Sequence, residues 1–127
     1  MNKVIVPGKI QPSKIVLPSS KSLSHRALIT ASLAHGDSLI HGLAENNDTK
    51  ATMRVMEKAG ASFEVQGNDL IVHGMREMSY DGSLLDCGES GSTLRFLIPL
   101  FSLSDQEAVF TGNGKMMERQ QDGVEDI

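Results

Sequence analysis

What this chain has little of excludes most function classes at once. It has no tryptophan, one tyrosine and four phenylalanines, so aromatics make up 4% of its 127 residues. Rings on which nucleic-acid bases stack are scarce, and a formal charge of −4 leaves no basic face for a phosphate backbone. No nucleic acid is expected as a partner. No apolar run approaches membrane-spanning length, and the opening Met-Asn-Lys-Val-Ile-Val-Pro-Gly lacks a signal peptide's apolar stretch. No membrane partner is expected, and the chain reads as cytoplasmic. A single cysteine, Cys87, cannot close an internal disulfide and suits a reducing compartment. With no His-plus-acid set to activate it, Cys87 reads as a small buried apolar residue. His25, His35, His41 and His73 show no metal-ligand spacing, so neither metal nor cofactor is expected.

What is present describes one ordinary core: 39% hydrophobic and 22% charged residues. The chain is organised around residues 17–36, Leu-Pro-Ser-Ser-Lys-Ser-Leu-Ser-His-Arg-Ala-Leu-Ile-Thr-Ala-Ser-Leu-Ala-His-Gly. Pro18 disfavours helix at Leu17, Ser19 and Ser20 are N-cap candidates, and a largely apolar helix over 20–35 follows, stopped by Gly36. Its first turn carries Lys21 and Ser22, with Arg26 four residues on and so on the same face as Ser22. Cations at the positive end of a helix dipole need a compensating charge. A bound phosphate or carboxylate supplies one, held by free backbone N–H groups, hydroxyls and cations together. A cap followed by solvated cations explains the same residues without a ligand. His25, beside Arg26 on a mostly apolar helix, reads as packed rather than catalytic.

In chain order, 3–6 and 14–17 read as strands, and 37–41 as a strand entered directly from the first helix. Asp48 is the expected N-cap of a second helix over 49–59, ended by Gly60, with Met53, Met56 and Ala59 on its core face. Strands over 62–66 and 69–73 join through Gly67-Asn68, a tight hairpin signal. Then the pattern restarts: a strand over 84–87, the turn Gly88-Glu89-Ser90-Gly91-Ser92, a helix over 93–103 kinked at Pro99, and a strand over 107–111. A shift of about 69 residues lays Arg95 on Arg26, Leu97 on Leu28, Ile98 on Ile29 and Val109 on Ile40, the mark of a duplicated unit. The second turn repeats the logic of the first, with Gly91, Ser92 and Arg95 at a helix start. A glycine-assisted corner with Arg95 on the surface is the structural alternative. Residues 122–127 read as the start of the second unit's second helix, so the chain reads as a piece of a longer protein.

Two familiar motifs fail here. Gly88-Glu89-Ser90-Gly91-Ser92-Thr93 lacks the lysine and the glycine spacing of a phosphate loop. It also falls one glycine short of a nucleophile elbow.

Three stretches resemble a known family. Leu17-Pro18-Ser19-Ser20-Lys21-Ser22-Leu23-Ser24-His25-Arg26-Ala27-Leu28 closely resembles the N-terminal signature of the 5-enolpyruvylshikimate-3-phosphate (EPSP) synthases. Gly88-Glu89-Ser90-Gly91-Ser92-Thr93-Leu94-Arg95 looks like the family's glycine-threonine-arginine signature, and Gly114-Lys115-Met116-Met117-Glu118-Arg119 like its third, basic segment. They come in the family's order. The resemblance implies an α/β (α+β) fold of βαβαββ units, the inside-out α/β barrel, with one full unit over about 14–75 and an incomplete second over about 82–127. Residues 1–13 resemble a leading strand that belongs with the C-terminal domain, and 14–127 the first part of the N-terminal substrate-binding domain. The family's full chain is more than three times as long.

The activity implied is transfer of the enolpyruvyl group of phosphoenolpyruvate to the 5-hydroxyl of shikimate 3-phosphate, releasing phosphate: a 3-phosphoshikimate 1-carboxyvinyltransferase of the shikimate pathway, in aromatic amino acid biosynthesis. By resemblance, Lys21 is a catalytic residue and contacts both substrates. Ser22 and Arg26 hold shikimate 3-phosphate, Gly91 and Arg119 hold phosphoenolpyruvate, and Ser92 and Arg95 support the cluster. Departures from the family pattern are Ser92 for threonine, Glu89-Ser90 for asparagine-alanine, Phe96 where some members have proline, and Gln120 for the proline after Arg119. In the family the general acid and base lie in the C-terminal domain. Only Glu89, Glu118 or Asp48 stand in reserve here, each with a simpler role, so the chain alone is expected to lack turnover. The full-length enzyme is expected to be a monomer, and the fragment to self-associate through open strand edges.

Two alternatives stand beside this reading. A UDP-N-acetylglucosamine enolpyruvyl transferase has lysine-asparagine where Lys21-Ser22 stands, and its reactive cysteine lies in a loop. A complete, non-catalytic anion-binding module is the second.

Overall fold

Local signals account for most of the elements in the computed structural model, which describes residues 2–4, 6–8, 14–116 and 118. Helix α1 spans Lys21–Leu33 and starts at Ser20, whose side chain accepts the Leu23 N–H. Gly36, at φ 117°, turns the chain into strand β1, Asp37–His41. Helix α2 covers Asn47–Ala59 and ends at Gly60, which holds the left-handed conformation (φ 114°) that a residue with a Cβ resists. Strands β2 (Ser62–Gln66) and β3 (Asp69–His73) form the hairpin that Gly67-Asn68 predicts. The glycine takes the first turn position at φ 61°, as a II′ turn requires.

Strand β3 is the centre of an antiparallel sheet of order β1-β3-β2. Its Leu70 and Val72 face α1, where they meet Leu28 and Ala31 in a small core. The second unit is a parallel crossover: β4 (Leu85–Asp86), α3 (Gly91–Phe101), then β5 (Phe110–Thr111) beside β4. A larger core lies between α2, α3 and β4, built on Val55, Met56, Leu85, Leu97 and Phe101, with Tyr80 and Phe110 edge-on to the Phe101 ring. Leu28 and Leu97, paired by the internal shift, are both fully buried. Truncation of either to Ala removes roughly 2–5 kcal/mol.

Several expectations are corrected. Residues 14–17, and the described residues of 3–6, form no strand; Val4, Val6, Ile15, Val16 and Leu17 are exposed. A strand exists through hydrogen bonds to a neighbour, and among the described residues none lies beside these segments. Asp48 is not the cap of α2. Asn46 is, accepting N–H groups of Asp48 and Thr49, while the Thr49 hydroxyl accepts the Asn46 N–H to complete a capping box. The second-unit strands shrink to two residues each. Helix α3 starts two residues earlier than its apolar run, because Ser90 caps it. Of the expected methionines, Met56 is fully buried and Met53 is half-buried against the smaller core. The helix start read over 122–127 lies outside the described residues.

Candidate substrate-binding site

The first turns of all three helices meet. Lys21 and Ser22 are exposed at the start of α1, and the Lys21 ammonium is ion-paired with the Asp48 carboxylate in the first turn of α2. The Asp48 carbonyl in turn lies 3.3 Å from the Thr93 hydroxyl, in the first turn of α3. Arg26 donates to the Ser22 hydroxyl at 2.6 Å, and its guanidinium carbon lies 5.3 Å from the centre of the Phe96 ring on α3. One cation thus bridges α1 to the helix that carries Arg95.

Ser90 repeats the role of Ser20. It caps α3 with its hydroxyl and accepts the Thr93 N–H at 3.1 Å. Gly91 is half-buried, and Ser92 and Arg95 are exposed on the first turns of α3. The third signature folds back on this corner. The Asn113 N–H donates to the Gly88 carbonyl at 2.9 Å, and a Cβ at Gly114 would collide with the Glu89 carboxylate. The exposed Glu89 side chain lies beside Gly114, and the 3-10 turn Gly114–Met116 is docked beside the start of α3. Arg119 lies outside the described residues.

Two groups are set by burial. His25 is fully buried, as a packed rather than a surface residue, and its pKa is pushed below the ordinary 6.5 chiefly by burial. The Lys21 charge pushes the same way, against the Asp48 carboxylate. Cys87 is fully buried too, and burial raises its thiol to about 11, which keeps it protonated and inert.

Ser22 and Arg26 are brought together on α1, Lys21 of the same helix turns to Asp48 of α2, and Ser92 and Arg95 stand on the neighbouring helix. A cavity of about 450 Å³ lies at the hairpin end, lined by Leu43, Met53, Val65 and Leu70. Another, of about 250 Å³, runs between Ser20, Leu23 and His41. Neither contains Lys21, Arg26 or Arg95. Lys21, Ser22, Arg26, Ser92 and Arg95 are each exposed at adjacent helix starts.

Sequence spacing misses Thr52 and Thr93, whose hydroxyls meet at 2.8 Å in the buried joint although they lie 41 positions apart. The available signal is Thr49 and Thr52 continuing the stripe of Met56 and Ala59, which places hydroxyls on a core face.

The chain matches the family model described as EPSP synthase (3-phosphoshikimate 1-carboxyvinyltransferase) over residues 6–122. It is 41% identical over 123 residues to a 3-phosphoshikimate 1-carboxyvinyltransferase of Clostridium perfringens, covering 94% of this chain and 28% of that protein. A relative of the same name from Clostridium novyi is 39% identical, with 95% and 30% covered. The solved EPSP synthase of Acinetobacter baumannii superposes with a TM-score of 0.75 at 29% identity, covering 84% of this chain and 25% of that one. The chain spans under a third of the length of these relatives. Its helices and sheets share the α/β fold of that structure. On this match of model, sequence and fold, the chain belongs to the EPSP synthase family.

Proposed function

We propose that this chain supplies substrate contacts of a 3-phosphoshikimate 1-carboxyvinyltransferase, which joins phosphoenolpyruvate to the 5-hydroxyl of shikimate 3-phosphate. The carrying observation is that Lys21, Ser22 and Arg26 stand exposed on one helix start while Arg26 reaches Phe96 on the next. In this reading Lys21 contacts both substrates, and Ser22 and Arg26 hold the carboxylate and ring hydroxyls of shikimate 3-phosphate. Gly91 and Arg119 hold phosphoenolpyruvate, with Ser92 and Arg95 in support.

The reaction protonates the methylene carbon of phosphoenolpyruvate while the 5-hydroxyl loses its proton and attacks the neighbouring carbon. Loss of phosphate from the tetrahedral intermediate, with loss of a proton from the methyl carbon, regenerates the enol ether. Phosphate oxygens carry charge throughout, so fixed cations and helix N–H groups serve each step. General acid and base must come from elsewhere. Asp48 is ion-paired with Lys21 and Glu89 lies beside Gly114, so each has a structural role in the chain by itself. The chain alone then binds but does not turn over. Residues 1–13 belong, in the same reading, to the leading strand of the other domain.

The reaction belongs in a reducing cytosol, which a lone buried thiol suits. No helix among the described residues is long and apolar enough to cross a membrane. Strands β1 and β2 form the edges of the sheet, the surfaces through which the chain by itself would associate. Isothermal titration of the purified chain with shikimate 3-phosphate, beside a phosphate-release assay, tests the reading. Saturable binding without turnover supports it; absence of binding, or phosphate release by the chain alone, contradicts it.

A further inference from the structure

We propose that His25, Thr52, Thr93 and Ser90 form a positioning chain that fixes the start of α3 against the start of α1, and so sets the register of the cations on the two helices. The inference rests on the substrate-binding reading above.

The four side chains run through the joint in sequence. His25 Nδ1 lies 2.7 Å from the Thr52 hydroxyl, Thr52 lies 2.8 Å from the Thr93 hydroxyl, and Thr93 lies 2.7 Å from Ser90 Oγ. Each helix contributes, and all four residues are at most 1% exposed. The chain ends on the cap of α3, because Ser90 Oγ also accepts the Thr93 N–H.

Proton counting gives the chain a direction. His25 Nε2 is buried with no partner among the described residues. If Nε2 carried the proton, a buried N–H would be orphaned, the costlier arrangement. With the proton on Nδ1, His25 donates to Thr52, Thr52 to Thr93 and Thr93 to Ser90. At the histidine only the Nε2 lone pair is then left over. Burial disfavours the charged ring, which is compatible with this order.

The chain also touches the exposed cations. Thr52 and Thr93 both lie within 3.4 Å of the Asp48 carbonyl, and the carboxylate of that residue holds Lys21. A joint of apolar side chains of the same shape would be about as stable, so stability alone does not call for hydroxyls here. Three short hydrogen bonds specify one register, which dispersion contacts leave free to slide.

Thr52→Val removes the middle hydroxyl with little change in shape, and Thr52→Ser keeps it. Two readouts on the whole chain separate the roles: ring ¹⁵N shifts of His25, and affinity for shikimate 3-phosphate by calorimetry. The wild type is expected to show Nδ1-protonated, neutral His25. Thr52→Val is expected to abolish that signature and weaken affinity about tenfold, the loss of one buried hydrogen bond, with Thr52→Ser restoring both. If Thr52→Val does not fold, Thr93→Val breaks the same chain one link on. An Nε2-protonated wild-type ring, or altered ring shifts with unchanged affinity, overturns the inference. A wild type that does not bind at all overturns the functional reading instead, and the inference with it.

Discussion

Lys21, the first residue of α1, is ion-paired with Asp48, in the first turn of α2. The two charges sit at the positive ends of their helices, where the carboxylate is favoured and the ammonium is not. On sequence alone a bound anion is the evident counter-charge for Lys21; the fold already provides one. The Lys21 side chain is 55% exposed, so the pair is screened and contributes only about 0–1 kcal/mol. In the proposed site, a phosphate group has only this weak partner to displace.

The first prediction separates binding from folding at this pair. Lys21→Met should shift the thermal midpoint little, since an exposed pair contributes at most about 1 kcal/mol. It should weaken shikimate 3-phosphate binding roughly tenfold or more, the range for a hydrogen bond to a charged group. Calorimetric titration beside a melt reads both. Equal affinity of variant and wild type would remove Lys21 from the site.

The cap of α2 makes a second prediction. Asn46→Ala leaves the N–H groups of Asp48 and Thr49 without their acceptor and should cost about 1 kcal/mol. Asp48→Asn keeps the Asn46 cap and should cost less. Urea unfolding of both variants checks the order, and a larger loss at Asp48 would restore it as the cap.

Stability should fall on both sides of neutrality. The His25 pKa is depressed in the fold, so as pH drops below about 6.5 the unfolded chain takes up its proton first and is favoured. The contribution of His25 is complete above that pH and is lost below it. Cys87 acts in the other direction. The folded thiol stays protonated to about 11, while the unfolded one ionises from about 9.0, so stability is lost as pH rises between them, by on the order of 2 kcal/mol. Denaturant midpoints across pH check this, and Cys87→Ala should flatten the alkaline limb.

Elements with a complete local signature were legible. The hairpin and β1 needed only alternation and Gly67-Asn68, the start of α1 only its capping serine and the end of α2 only its capping glycine. What failed needed partners distant in sequence. Residues 14–17 have the apolar content of a strand, but pairing decides whether one forms. At the start of α2, Asn46-Asn47-Asp48 offers three acceptable caps in a row, and the Thr49 hydroxyl selects Asn46 by completing the box. The cations at the helix starts were visible as a motif. Their counter-charge and the hydroxyl joint beneath them were not, because Asp48, Thr52 and Thr93 come together only when three helices pack.

The most direct test of the account is an amide NMR titration of the ¹⁵N-labelled chain with shikimate 3-phosphate. The account predicts saturable shifts concentrated in residues 20–26 and 91–95, the two helix starts joined through Arg26 and Phe96, and their loss in Lys21→Met. Shifts confined to one helix start, spread over unrelated surfaces, or absent altogether would contradict a shared anion site.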